Sequence, residues 1–565
     1  MDLVAAFRND GFKLKEEITF RGQRGLLAEH ETAYNVVTGE KKIALYVEGT
    51  AYEMGFLTGF LAHHQVERMC EEFLENFAPA FLGIKFSPLT PLGGILKWIL
   101  TRIFIKTVYE MAKGMAKDIP NHYKIELEGI LDGCRAANPR SKVDFEDLWA
   151  LNMGFDCLLA LIYSPGFLER WPRFKEKHVR VPVGCNGFAV FGQGVKPLTD
   201  GARPFFFGRD FMFPTAGVFQ DVACHLIYKP SDGRYPLLSL TAPGLIGSVT
   251  VLNSTGLAVG VDMVASGNCS PKRPGLNSLI LIRDCAHQCG DLSQAIDYMV
   301  QAQRGVSWIY LLASRADQRA CVVEAGQSIS KMDLVSFPPD DLMQKGLLPD
   351  SAFLAKELGE EPRRGLVVRF SDYQYPQNFL RFNKSLFEYF DKQYDAAAFG
   401  PKGYLCQRLS DGRITENLPH SFYFAPLRVG QPDLLLVSNH FITPAMRMAA
   451  MEPWCANLAS KQQPDFQWRY DKLNDLLQTY YGQIDEELAW RIINFLAAEE
   501  GSFVPDYYKK ASDYVYRDLD GHKQKTKEVP GAVSLCELTS LSMQSRWGYY
   551  ADKPVRTRLP NYIEI

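Results

Sequence analysis

A cysteine directly after a glycine, opening a strand-like run, is the stretch of this sequence best equipped for chemistry: Val181-Pro182-Val183-Gly184-Cys185-Asn186-Gly187-Phe188-Ala189-Val190-Phe191-Gly192. A thiolate is a strong nucleophile, but a free cysteine titrates near ~8.5 and needs a base. A chain-terminal α-amino group titrates near ~7.7–8.0 and can take the thiol proton itself. Cutting the Gly184–Cys185 bond would put both groups on Cys185, as nucleophile and new N-terminus. Glycine before it lacks a Cβ, so the bond can bend while the thiol attacks its carbonyl. The dipeptide alone is a weak signal, because most cysteines are small buried hydrophobes.

Composition bounds the setting for this chemistry. The 565 residues suffice for a large core and two or more domains. A chain 47% hydrophobic and 22% charged is ordinary for a globular protein. A net charge of −3 argues against nucleic acid as a partner. Twelve cysteines without a regular frame fit thiols in a reducing compartment. Cys285, His287 and Cys289 have ligand-type side chains but no second pair at zinc spacing, so they read as one stretch of helix. No metal and no cofactor is expected. The first residues show no basic, apolar leader, and no apolar run reaches the ~18–20 residues of a membrane span. The expected localisation is cytoplasmic, with association at a membrane surface as the alternative.

The elements around Cys185 change character at that residue. Before it the pattern is mostly helical, after a short strand at residues 43–47. Thr50 with Glu53 makes a capping box that starts a helix running to about residue 73. Gly55 and Gly59 share one face of it and would let another element approach closely. The segment from Ile95 to Met115 is apolar with Lys97, Arg102, Lys106 and Lys113 spaced through it. It reads either as a core helix or as a membrane-surface helix with Trp98 and Phe104 inserted. Residues 125–137 and 144–159 continue the helical pattern. After Cys185 come strands at 186–191, 204–207, 222–228 and 236–240. Hairpins follow at 248–261 and 308–324, with a helix from Asp291 to about 300 between them. A strand at 434–437, helices near 465–480 and 485–498, and a final hairpin from 533 complete the chain. The expected division is a helix-rich 1–184 and a catalytic 185–565. Its fold class is α+β, with antiparallel sheets covered by helices.

With these residues in order, the chain resembles the autoproteolytic acyltransferases and hydrolases related to penicillin acyltransferase, in the N-terminal nucleophile superfamily. Gly184-Cys185-Asn186-Gly187 sits where that family has its processed nucleophile. Phe207-Gly208-Arg209-Asp210-Phe211-Met212 is similar to a family strand, and Leu252 to Asp262 to the hairpin that ends in an oxyanion-hole asparagine. Val437-Ser438-Asn439-His440-Phe441 resembles the Thr-Asn-His segment, and Arg469 a further site arginine. The resemblance implies a four-layer αββα sandwich and a catalytic set of Cys185, Arg209, Asp210, Asp262, Asn439 and Arg469.

Two positions depart from the family. Met212 stands where an aspartate often holds the new α-amino group, and Asp210, on the same strand face, could substitute. Asp262 stands where an asparagine would donate to the oxyanion, which an ionised carboxylate cannot do. Its backbone serves instead, or it is protonated, or it binds the amine. Singly, each residue has a plain structural reading: Asp210 in a turn, Arg209 on the surface, Asn439 capping a strand, Arg469 paired along its helix. The implied activity is hydrolysis of a linear N-acyl amide through an acyl-enzyme, with the N-terminal fragment still bound after cleavage. A lipid hydrolase like the phospholipase-B-like relatives, an acyltransferase, or a non-catalytic lipid- or partner-binding protein are the alternatives.

Overall fold

Runs such as Cys185–Val190 and Phe206–Met212 are apolar or small at most positions rather than at alternate ones. That is the pattern of strands covered on both faces. The computed structural model describes residues 3–77, 91–164, 184–328, 362–377, 407–408, 414–415, 431–447, 465–497 and 514–560. Residues 181–183 and 561–565, and the side chains of Lys97 and Trp98, lie outside that description.

The strands are, in chain order, β1 (Phe12–Phe20), β2 (Gln23–Tyr34), β3 (Lys41–Gly49), β4 (Cys185–Val190), β5 (Phe206–Met212), β6 (Cys224–Pro230), β7 (Leu237–Thr241), β8 (Thr250–Asn253), β9 (Leu257–Met263), β10 (Trp308–Ser314), β11 (Arg319–Ala325), β12 (Leu366–Phe370), β13 (Gln407–Arg408), β14 (Ile414–Thr415), β15 (Leu434–Ser438), β16 (Tyr514–Arg517), β17 (Lys523–Thr526), β18 (Glu528–Glu537), β19 (Ser542–Tyr549) and β20 (Val555–Arg558). A ten-stranded sheet has the order β1-β2-β3-β6-β7-β8-β9-β10-β11-β12, and a six-stranded sheet the order β15-β4-β5-β18-β19-β20. All pairings in both are antiparallel except β3 with β6, where Ile43 to Gly49 run parallel to Cys224 to Pro230.

The two sheets meet through side chains of both. Arg209 on β5 reaches Asp262 on β9, Ser534 on β18 donates to Thr250 on β8, and His225 on β6 bonds Thr557 and Ser545 on β20 and β19. A Cβ on Gly187 of β4 would press on Leu311 of β10 at 3.0 Å. The helices Ser278–Gln288 and Leu292–Gln301 pack on the ten-stranded sheet, and Asp465–Thr479 and Glu486–Ala497 on the six-stranded one. The molecule is therefore mixed α+β.

Helix Ala51–Leu61 starts at the Thr50–Glu53 capping box expected from the sequence. It crosses helix Asn121–Ala137 at backbone contact. A Cβ on Gly55 or Gly59 would lie 2.1 Å from the carbonyl oxygens of Glu126 or Ile130. Gly129 and Gly133 return the contact against Tyr52 and Phe56.

Residues 1–184 hold these helices but also β1 to β3, of which only residues 43–47 were expected as strand. Charges at Lys13, Lys15, Glu16 and Glu17 mask the pattern of β1, an edge strand with its middle in solvent. Helix Pro91–Ala112 buries Thr101, Ile105, Val108 and Ala112 and packs against helix Phe145–Ile162. Its outer face exposes Ile103 (57%) beside Arg102 and Lys106. No helix among the described residues is long and apolar enough to cross a membrane.

Candidate active site

Cys185 begins β4, and β4 lies between β15 and β5 in the interior of its sheet. Cross-strand pairing sets which side chains share a face. Cys185 pairs with Phe211 and Gly187 with Arg209, on the face turned to the ten-stranded sheet. Asn186 pairs with Asp210 on the opposite face.

On the first face, Arg209 is buried between the sheets. Its Nη2 meets Asp262 Oδ1 at 3.1 Å and its guanidinium lies 5.2 Å from the Phe211 ring centroid. Its Nε has no hydrogen-bond partner among the described residues. Asp262 is buried too, and burial pushes its carboxyl up to about 6 against the pull of Arg209 and Arg469. Both groups act on the Cys185 thiol. Burial pushes that thiol up to about 12, with the Asp262 charge next in effect and Arg209 opposing. Cys185 is fully buried in the uncut chain, its Sγ 4.0 Å from Met212 O.

The backbone of Cys185 is held at both ends. Its N–H donates to Asn439 Oδ1 at 2.5 Å. Its carbonyl accepts from Arg469 Nη1 at 2.9 Å, and Arg469 Nη2 donates to Asn439 Oδ1 at 2.9 Å. Asn439 Nδ2 gives one hydrogen to Met263 O at 2.7 Å. Arg469 comes from helix Asp465–Thr479 and reaches inward to the Cys185 carbonyl.

Asp210 sits elsewhere than its proposed substitute role would need. Its carboxylate takes the Asn186 N–H at 2.6 Å and the Asn186 side-chain amide at 2.9 and 3.1 Å. The group at the Cys185 nitrogen is Asn439. Burial holds the Asp210 carboxyl up at about 7.

The structure thus brings Cys185, Arg209, Asp262, Asn439 and Arg469 together directly, with Asp210 joined through Asn186. Sequence reasoning passed over three supports. Asn186 accepts from Ser438 Oγ and Arg469 Nη1 while donating to Asp210, so it links both sides of β4. Glu324 on β11 takes the N–H groups of Ile442 and Thr443 and so anchors the turn after Asn439. Main-chain atoms of Met212 and Met263 make the rest. Asn186 was legible as a polar residue in an otherwise apolar strand. Main-chain roles leave no mark on residue identity.

Cys285 and Cys289 are free thiols, Cys285 Sγ lying 4.0 Å from Ala295 O, while His287 turns to Tyr235 O at 2.8 Å. Among the described residues one group of three ligand-type side chains converges, Asp518, Asp520 and His522, on a largely exposed turn remote in sequence from this site.

No family model matches the chain. A protein of Archaeoglobus fulgidus described as "Uncharacterized protein" is 26% identical over 545 residues, spanning 96% of this chain and 68% of that protein. Among solved structures, a mutant of conjugated bile acid hydrolase from Clostridium perfringens has 11% identity and a TM-score of 0.28, over 66% of this chain and 92% of that one. The Caenorhabditis elegans ortholog of N-acylethanolamine-hydrolyzing acid amidase has 10% identity and a TM-score of 0.30, over 66% of this chain and all of that one. Similarity at that level transfers no residue role, and the chemistry below comes from this chain's own geometry.

Proposed function

We propose that this protein is a self-processing cysteine amidohydrolase of the N-terminal nucleophile type, arranged as an αββα sandwich. It cuts its own Gly184–Cys185 bond and then hydrolyses a linear N-acyl amide. One observation carries the reading. The nitrogen that cleavage would free is already held by Asn439 Oδ1 at 2.5 Å, and the same oxygen is fixed by Arg469, which also grips the Cys185 carbonyl. Any buried backbone N–H needs a partner; here the partner is a side chain that Arg469 ties to the Cys185 carbonyl as well.

In the uncut chain the Cys185 nitrogen is an amide and cannot act as base. The Asp262 carboxylate is the group we assign to take the thiol proton. The sulfur adds to the Gly184 carbonyl carbon, the C–N bond breaks, and the nitrogen leaves with a proton as the new α-amine. Water then hydrolyses the thioester, releasing the Gly184 carboxylate and restoring the thiol. In turnover the free amine takes the thiol proton, the sulfur attacks the substrate carbonyl, and the departing amine receives that proton. Water resolves the acyl-enzyme. The second hydrogen of Asn439 Nδ2 is the donor we assign to the substrate oxyanion. Arg209 holds Asp262 in place. An amine in place of water would make the same site an acyltransferase.

Mass spectrometry of the purified protein tests this directly. Two fragments, 1–184 and 185–565, with Cys185 as a free N-terminus, and one whole chain in Cys185→Ala, are the expected result. A wild-type chain that stays whole and is not labelled by thiol acylators rejects it. A panel of N-acyl amides, bile conjugates and lysolipids with matured protein then separates amide from lipid-ester hydrolysis.

A further inference from the structure

The bond proposed above for self-cleavage runs through the carbonyl of Gly184, and that carbonyl has a defined partner. Its oxygen accepts the main-chain N–H of Met212 at 3.0 Å. Asn439, by contrast, faces the other side of the same peptide: its Oδ1 takes the Cys185 N–H, and its Nδ2 is turned to Met263 O. We propose that the two reactions of Cys185 use different oxyanion donors. The Met212 amide stabilises the oxyanion of self-cleavage, whereas Asn439 Nδ2 serves substrate turnover. The inference rests on the self-processing reading.

The chemistry asks for this division. When the sulfur adds to the Gly184 carbon, the carbonyl oxygen takes on the negative charge, and it keeps its direction from the Gly184 backbone. A donor already on that oxygen in the resting chain needs no rearrangement. The oxygen of a later substrate has no such tether, and cleavage parts Gly184 from Cys185. The Met212 carbonyl also lies 4.0 Å from Sγ, so one residue's main chain borders both reacting atoms.

A glycine sets the plane of the amide concerned. Gly531 pairs with Met212 beside a bulge in β18 and has φ +119°. A Cβ there would stand 2.0 Å from the carbonyl oxygen of Phe211, the other half of the Phe211–Met212 peptide. Gly531 is therefore a positioning residue: a side chain at 531 would tilt the Met212 N–H away from Gly184. Neither Met212 nor Gly531 offers a reactive side chain, which is why the role is legible only in the backbone.

The test replaces the residue at 212 by its α-hydroxy acid through nonsense suppression, which turns the amide into an ester and removes only the N–H. Cleavage is followed by mass spectrometry after refolding, and fold is checked by circular dichroism and melting on the Cys185→Ala background. The expected result is a folded chain that cleaves about 10²–10³-fold more slowly, the usual effect of losing one oxyanion donor. Gly531→Ala should slow cleavage in the same direction, and it decides the matter if the ester chain does not fold. A folded variant of either kind that cleaves within about threefold of wild type, a range well short of one oxyanion donor, overturns the assignment. A wild-type chain that never cleaves at Gly184–Cys185 removes the self-processing reading instead, so the two failures are distinct.

Discussion

Asp262 shows how one residue's role depends on its surroundings. In water an aspartate titrates near ~3.9 and is a poor base at neutral pH. Here burial lifts it to about 6 while Arg209, 3.1 Å away, limits the rise. Its ionised form is the one that accepts a proton. The rate of self-cleavage should therefore climb with pH through about 6 and then level. Asp262→Asn should cleave about 10²–10⁴-fold more slowly and lose that climb, as expected for loss of a general base. Time courses of refolded protein between acid and neutral pH, read by mass spectrometry, check both. A wild-type rate that is flat across this interval rejects Asp262 as the base. Asp210, by comparison, spends its oxygens on Asn186, the residue next to Cys185.

At the scale of elements, the crossing of helices Ala51–Leu61 and Asn121–Ala137 is the joint most sensitive to one atom. Gly55 faces a backbone oxygen, which cannot swing aside like a side chain. Gly55→Val should cost about 3 kcal/mol or more, at the upper end of overpacking effects. Gly114→Ala, with nothing within 4 Å of the added carbon, should leave stability almost unchanged. Urea midpoints of the two variants against wild type make the comparison. The start of the first helix was legible because a capping box is a local device. The strands β1 and β2 were not, because the edge strand β1 and the charge-bearing β2 beside it owe their placement to pairing with other strands.

Across the whole molecule, the two pieces left by cleavage would share one sheet. β3 pairs with β6 over seven residues, and Lys42 Nζ meets Asp552 Oδ2 at 2.8 Å with both side chains buried. Arg283 and Glu126 form a second buried pair across the cut at 2.7 Å. Matured protein should thus elute from gel filtration as one species holding both fragments, and separate only in denaturant. Fragments that part in native buffer would contradict the shared sheet. Lys42→Ala, which strands the Asp552 carboxylate in the interior, should lower stability by about 3–5 kcal/mol in a denaturant titration, as for other broken buried pairs.

What the sequence by itself determined was local and periodic. The apolar runs around Cys185, the hairpin turns and the caps are set by neighbours in the chain, so strands β4, β7, β9 and β10 and the helix after Asp291 lie close to where their patterns put them. It also supplied the residue types of the site, with Cys185, Arg209, Asp262, Asn439 and Arg469 in order. Tertiary structure alone decided how these face one another. Asn439 is 254 residues from Cys185, and no local pattern fixes a contact at that separation. Packing of one sheet on the other turned Arg209 inward to Asp262, and strand register put Asp210 beside Asn186 instead of at the Cys185 nitrogen. A one-residue change of register would send each of these side chains to the opposite face.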